Sequence, residues 1–288
     1  MTRGRVTKLH EDVSDLLDSL AESPPVKRTD QYWLRLPATG ICFLVFGVAG
    51  FLLGIFVLPV IRLFSFDRLR GQRMARAVVG GGLRGFVMFM RSVGVLRYEF
   101  VGRAKLGRPG QIVVANHPTL IDVVFLLGFT PHATCIVKAG LFTNLITRGA
   151  VNAAGYIPNA PADEMIHAAQ RALEEGESLV IFPEGSRTVP GQPMQMQRGA
   201  ANLALRGARV LTPVFITCDP PTLSKNLPWY RIPPRRPTFT LRASDDIDLE
   251  AYRHAPLPIA SRRLNSDLAG LFAGQLQCET TALNSRAQ

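Results

Sequence analysis

The chain has 288 residues, 47% of them hydrophobic, with 33 Lys and Arg against 22 Asp and Glu for a formal charge of +11. That length holds one large domain with appendages or two small ones. A mean hydropathy of +0.13 excludes a transporter of many spans and is high for an ordinary soluble enzyme, which leaves a globular domain with one or two membrane-embedded segments. The positive excess favours anionic partners, and four widely spaced cysteines without a CxxC pair imply a reducing compartment, no disulfide framework and no zinc knuckle.

Residues 1–39 form a polar arm with one short helical pattern at His10–Ser23. Its basic cluster of Arg3, Arg5 and Lys8 precedes no apolar core, so no cleavable signal peptide is expected. Residues 40–61 contain no charge; as a helix they would extend roughly 33 Å, about one hydrocarbon core, and be apolar on every face. Arg62, Arg68, Arg70, Arg73 and Arg76 follow, against Lys27, Arg28 and Arg35 before. The positive-inside rule then puts the rest of the chain in the cytoplasm. Pro59 and the glycines also permit a bent hairpin that enters one leaflet and returns. Residues 75–96 suit a helix at the headgroup boundary or a core helix with Arg84 and Arg91 snorkelling.

From Tyr98 the pattern alternates. Short β-branched runs at 111–115, 133–137, 178–182 and 210–216 predict strands, and helical patterns at 118–128, 162–176 and 197–207 lie between them. Such alternation predicts an α/β domain with a mixed, mostly parallel sheet flanked by helices. The domain plan is an arm over 1–39, membrane-embedded or membrane-surface helices over 40–96, the α/β domain over 97–245, and a C-terminal tail over 246–288.

The strand at 111–115 runs into NHPTLID (116–122). Inside one helix His117 and Asp122 would be about 140° apart around the axis. Pro118 at the first helical position instead leaves His117 in the turn, free to meet the carboxylate. Asp122 accepting from one ring nitrogen would leave the other basic near neutral pH, a base with its orienter. A structural His–Asp pair and a metal site with His132 are the rival readings, the second without further ligands to support it. The next constellation, FPEGSRT (182–188), again follows a strand, where open α/β sheets bind ligands. Arg187 can clasp a phosphate or carboxylate, and Glu184 can accept from a substrate hydroxyl or hold Arg187. Ser186 lacks the first half of a GxSxG elbow.

NHPTLID followed some sixty residues later by FPEGSRT resembles the lysophospholipid acyltransferase family, also called the 1-acylglycerol-3-phosphate acyltransferases. Lys138, shortly after the second strand, and the apolar block around Pro213 match as well, so the resemblance covers about residues 95 to 220. One block departs: Asn159 in GYIPN (155–159) stands where the family usually has an Arg for the acceptor phosphate. A segment WYRIPPR (229–235) resembles bacterial members with a long apolar lead. The resemblance implies direct transfer, with His117 as base and Asp122 as orienter. Asn116, Lys138, Asn159, Glu184, Gly185, Ser186 and Arg187 would bind substrate, and backbone donors after Pro118 would steady the oxyanion. The implied partners are an acyl-CoA or acyl carrier protein thioester, a lysophospholipid acceptor and membrane lipids, with no cofactor, no metal and no nucleic acid. The enzyme would be membrane-bound with its site on the cytoplasmic side. An acyl groove beside the apolar segment is expected. Acylation of a different acceptor, hydrolysis in the same pocket, and lipid binding without turnover are the alternatives.

Overall fold

The computed structural model of the chain describes residues 30–159, 161–189 and 194–287; the helical pattern at His10–Ser23 lies outside them. Seven strands form one sheet: Arg97–Val101 (β1), Gln111–Ala115 (β2), Ala133–Val137 (β3), Ile157–Pro158 (β4), Ser178–Ile181 (β5), Val210–Asp219 (β6) and Thr238–Ala243 (β7). Their order is β1-β7-β6-β2-β5-β3-β4. Every neighbouring pair is parallel except β6 with β7, so the expected mixed, mostly parallel sheet is what forms. Strands β2 and β5 are buried at every position. That is why they read as unbroken apolar runs: helices cover both of their faces. The sequence reading has no strand at β1, β4 or β7, because β1 and β7 alternate with polar residues and β4 has only two residues.

The helices are Tyr32–Leu52 (α1), Leu58–Phe64 (α2), Arg68–Ser92 (α3), Asp122–Phe129 (α4), Arg148–Ala153 (α5), Ala162–Glu174 (α6), Gly199–Gly207 (α7), Glu250–Arg253 (α8) and Leu257–Ala287 (α9). A π-helical stretch, Leu53–Val57, joins α1 to α2. Together they make one rod, Tyr32–Phe64, long and apolar enough to cross a membrane. It starts before Gly40, the expected first residue, and carries Pro37 inside it.

Helix α3 begins where the Asp67 carboxylate accepts from the N–H groups of Leu69 and Arg70, the usual way an N-cap satisfies a first turn. It then packs on α4 with backbones almost touching. A Cβ on Gly128 would lie 3.0 Å from the Arg84 nitrogen, and one on Gly80 would lie 3.0 Å from the Leu127 oxygen. Arg84 donates to the Gly128 carbonyl at 3.0 Å. One face of α3 thus packs on the core, with Ala75, Val79, Val87 and Met90 buried. Two of the five arginines that follow the apolar segment are paired inside the protein, Arg76 buried and Arg73 half-exposed. Arg73 and Arg76 both pair with the fully buried Glu177, at 2.7 and 2.6 Å, and so do not present free charge to a headgroup layer.

Helices α1 to α5 cover one face of the sheet, and α6, α7 and α9 the other. Ala260, Leu264, Leu268 and Phe272 recur every four residues along α9 and are all buried, a stripe of the kind that docks a helix on a core. The Phe272 ring meets Phe215 of β6 at 4.8 Å. Leu249 and the α9 residues Ala260, Leu264, Leu268 and Phe272 therefore belong to the core on this face of the sheet.

Candidate active site

Strands β2 and β5 are parallel neighbours, with Val114 opposite Ile181, so the loops leaving them emerge side by side at the carboxyl edge of the sheet. This brings the two motifs together. The His117 ring stacks on Phe182, centroids 4.3 Å apart and planes 26° from parallel. The His117 N–H donates to Glu184 Oε1 at 2.9 Å, and the Thr188 hydroxyl donates to the same oxygen at 2.8 Å. The Thr188 N–H closes the ring by donating to the His117 carbonyl at 2.8 Å. Glu184 therefore holds the His117 loop, not Arg187.

His117 Nδ1 lies 2.9 Å from Asp122 Oδ2. Asp122 is fully buried; its Oδ2 also accepts from the Thr119 N–H at 2.7 Å, and its Oδ1 from the Thr119 hydroxyl. These donors fix both carboxylate oxygens, and Asp122 fixes the ring, leaving Nε2 for a reacting proton. Burial pushes the Asp122 carboxyl above its ordinary range, opposed by the hydrogen bonds from His117 and Thr119. Burial likewise raises Glu184, opposed by the His117 N–H and the Thr188 hydroxyl.

Three local expectations are corrected. Helix α4 starts at Asp122, not at Pro118, because Thr119 folds onto the Asp122 carboxylate and forms a turn of its own before the helix. The N–H of Thr119 is spent on Asp122, and that of Leu120 on the Leu223 carbonyl at 3.0 Å. These two amides after Pro118 are thus committed and are not free oxyanion donors. Asn116, expected to bind substrate, is buried and clamps β6: it donates to the Ile216 carbonyl and accepts from the Ile216 N–H, both at 2.8 Å.

A cavity of about 340 Å³ opens at His117 and is lined by Lys138, Asn159, Phe182, Gly185, Ser186 and Arg187. Gly185 has φ +67, and a Cβ there would lie 2.8 Å from the Gln197 amide; a side chain would meet both backbone strain and a neighbour. The Asn159 N–H donates to the Val137 carbonyl at 2.8 Å, which seats Asn159 beside Lys138. Arg187 Nη1 donates to the carbonyls of Leu223 and Ser224 at 3.0 and 3.1 Å. Ser186 Oγ accepts from Lys225 at 3.2 Å, whereas the ring of His117 pairs with Asp122, so Ser186 has no base of its own. His132 precedes β3 and lies at the opposite end of the sheet from His117.

A second cavity of about 290 Å³, almost wholly apolar, lies between α1, α3 and the sheet. It shares Leu120, Val123 and Leu141 with the first. WYRIPPR closes one side. Buried Arg35 of α1 donates to the carbonyls of Pro233 and Pro234 at 3.0 and 2.9 Å, and Trp229 packs on Phe43 at 5.3 Å. The residues that sequence reading passed over are Thr119, Phe182, Thr188 and the segment 222–225. Thr119 and Thr188 sit inside the two motifs, and Thr-x-x-Asp spacing is itself a capping signal; segment 222–225 carries no such signal.

Residues 97–217 match the family model described as Acyltransferase. Among curated relatives, the 1-acyl-sn-glycerol-3-phosphate acyltransferase of Limnanthes alba is 24% identical over 212 residues, 70% of this chain and 67% of that one. That of Pseudomonas aeruginosa is 24% identical over 195 residues, 65% of this chain and 69% of that one. The chloroplastic enzyme LPAT1 of Arabidopsis thaliana is 26% identical over 110 residues. This match spans about a third of the Arabidopsis protein, 31% of its length. The crystal structure of the 1-acyl-sn-glycerophosphate acyltransferase PlsC from Thermotoga maritima superposes with a TM-score of 0.62 over 82% of this chain and 96% of that one. At 15% identity the likeness is one of fold.

Proposed function

We propose that this chain, whose residues 97–217 match the family model described as Acyltransferase, moves a fatty acyl group from a thioester to the hydroxyl of a lysophospholipid such as 1-acylglycerol-3-phosphate. The thioester is carried by coenzyme A or by acyl carrier protein. The observation that carries this reading is His117, 2.9 Å from a buried Asp122, at a cavity that also holds Lys138 and Arg187. His117 Nε2 takes the proton of the acceptor hydroxyl as its oxygen attacks the thioester carbonyl. The tetrahedral intermediate then collapses, the carbon–sulfur bond breaks, and the imidazolium returns the proton to the thiolate. A thiolate is a good leaving group, so no separate general acid is needed, and no acyl-enzyme forms. Lys138 and Arg187 hold the acceptor's anionic headgroup, and the adjoining apolar cavity takes an acyl chain.

Membrane attachment comes through α1 and α2, which lie along one leaflet rather than crossing. Arg35 binds Pro233 and Pro234 at one end. A Cβ on Gly149 would lie 2.5 Å from Gly54 Cα in the middle, and Leu58 is 2% exposed near the other end. Contacts from residue 35 to residue 58 extend about 35 Å along the rod, a whole hydrocarbon thickness, so crossing would pull the domain's flank into the bilayer. The opposite face offers Ile41, Leu44, Val48, Phe51, Ile55 and Phe56, all exposed, as an in-plane helix requires. The site then faces the cytoplasm, where both thioester carriers are found. With Val48→Trp in a Trp33→Phe, Trp229→Phe background, lipids brominated near the headgroup should quench fluorescence most. Strongest quenching by bromines near the chain ends would mean that the helix crosses.

The reaction itself is tested by mass spectrometry of products from purified protein in detergent, given lysophosphatidate with acyl-CoA or with acyl carrier protein thioester. The expected result is a diacyl phospholipid formed only when both substrates are present. Release of free fatty acid at the same rate without an acceptor would identify a hydrolase instead.

A further inference from the structure

We propose that Lys225, from the loop between β6 and β7, binds the acceptor's phosphate and supplies the charge that Asn159 does not. This rests on the transfer reaction proposed above and adds a specificity-determining residue to it. The loop around Lys225 is held by both motifs at once. The Leu223 carbonyl accepts from the Leu120 N–H and from Arg187 Nη1, and the Ser224 carbonyl accepts from the same Arg187 nitrogen. Thr222 and Ser224 are buried. Leu223 and Asn226, on either side of the lysine, have φ of +50 and +66, the left-handed region, which a leucine rarely adopts unless its surroundings impose it. This turn sets Lys225 Nζ 3.2 Å from the Oγ of Ser186, a residue that lines the cavity.

Charge supports the assignment. Among the described residues Lys138, Arg187 and Lys225 form no ion pair. The acids of the two motifs, Asp122 and Glu184, are spent on His117, Thr119 and Thr188. Three cations without carboxylate partners suit a phosphate monoester, whose charge near neutral pH is about −1.5 to −2. An ammonium resting on one hydroxyl keeps two donors for phosphate oxygens. Topology places the charge: β6 and β4 flank β2, β5 and β3 on opposite sides. Asn159 approaches from the β4 side and Lys225 from the β6 side. The phosphate is therefore held from both sides, by Lys138 next to Asn159 and by Arg187 and Lys225 at Ser186.

The test compares Lys225→Met with Lys225→Arg in the full-length enzyme. Lys225→Met should raise KM for lysophosphatidate by about 10–100-fold, the loss of one charge-assisted contact, and change the thioester KM by less than about twofold. Lys225→Arg should recover most of the loss. In parallel, lysophosphatidate binding is measured by calorimetry on His117→Ala and on His117→Ala with Lys225→Met, so that binding is read without turnover. The second protein should bind about 10–100-fold more weakly. An unchanged binding constant, or equal losses for both substrates together with a lowered Tm, would overturn the role of Lys225. If the wild-type enzyme made no diacyl product while Lys225→Met still weakened binding, the transfer reading would fail and the phosphate site would stand.

Discussion

His117→Ala lowers kcat/KM for acyl transfer by about 10³–10⁴-fold, at or near the top of the range that general-base catalysis contributes, and leaves folding and membrane association unchanged. The size of the effect follows from the geometry. The ring is the group at the cavity whose proton-accepting nitrogen is left open by a fixed partner. Ser186, the neighbouring hydroxyl, is engaged by Lys225 and has no base to replace the imidazole. Folding survives because the contacts that hold the loop are made by the His117 backbone, its N–H to Glu184 and its carbonyl from Thr188. Asp122 keeps both donors from Thr119. Steady-state rates and circular dichroism on the purified variant check both halves. A variant that kept more than a few per cent of wild-type activity would remove His117 from the role of base.

Asp122→Asn lowers activity and raises or preserves Tm, a combination that separates orienting the base from holding the fold. The Thr119 N–H can only donate, so it keeps the amide oxygen at the Oδ2 position, and the amide nitrogen takes the Oδ1 position against the Thr119 hydroxyl. His117 Nδ1 keeps its acceptor but loses the carboxylate charge that stabilises the imidazolium, which lowers kcat by roughly 10²–10⁴-fold. The stability sign runs the other way. Burial raises the Asp122 pKa in the folded protein, so the native state binds this proton more tightly than the unfolded chain. Its contribution to stability is complete below the unfolded value, about 3.9, and is lost as pH rises through the raised native value. At neutral pH the buried charge is a cost that Asn removes. The same logic applies to Glu184, whose pKa burial also raises. Thermal melts at pH 5 and pH 8 should show a smaller drop with rising pH for Asp122→Asn than for wild type. A Tm well below wild type at both pH values would mean that Asp122 serves the fold first.

Parts of this were legible before any coordinates. β2 and β3 begin and end where their β-branched runs do, and β5 and β6 begin where expected. They are central strands covered on both faces, so their burial is written as local composition. The His–Asp pairing was legible too, since five residues in a turn hold both partners. Asn116 was misread because its partner, Ile216, is 100 residues away. Glu184 was left between two roles because its partners are the backbone of a different motif and Thr188. In the C-terminal tail, the buried stripe of α9 is diluted by polar residues on its other faces, and only docking on β6 reveals it.

What the sequence determined alone is whatever depends on neighbours along the chain: the central strands, the apolar rod, and the pairing of His117 with Asp122. What the tertiary structure decided is whatever depends on groups that meet across the sheet. Those are the Glu184 clasp on His117, the Arg35 hold that lays the rod along the domain, and the contact of Lys225 with Ser186. The physical reason is range. Strand and helix patterns come from periodic burial of adjacent residues, whereas a hydrogen bond between distant loops leaves no periodic trace in either of them.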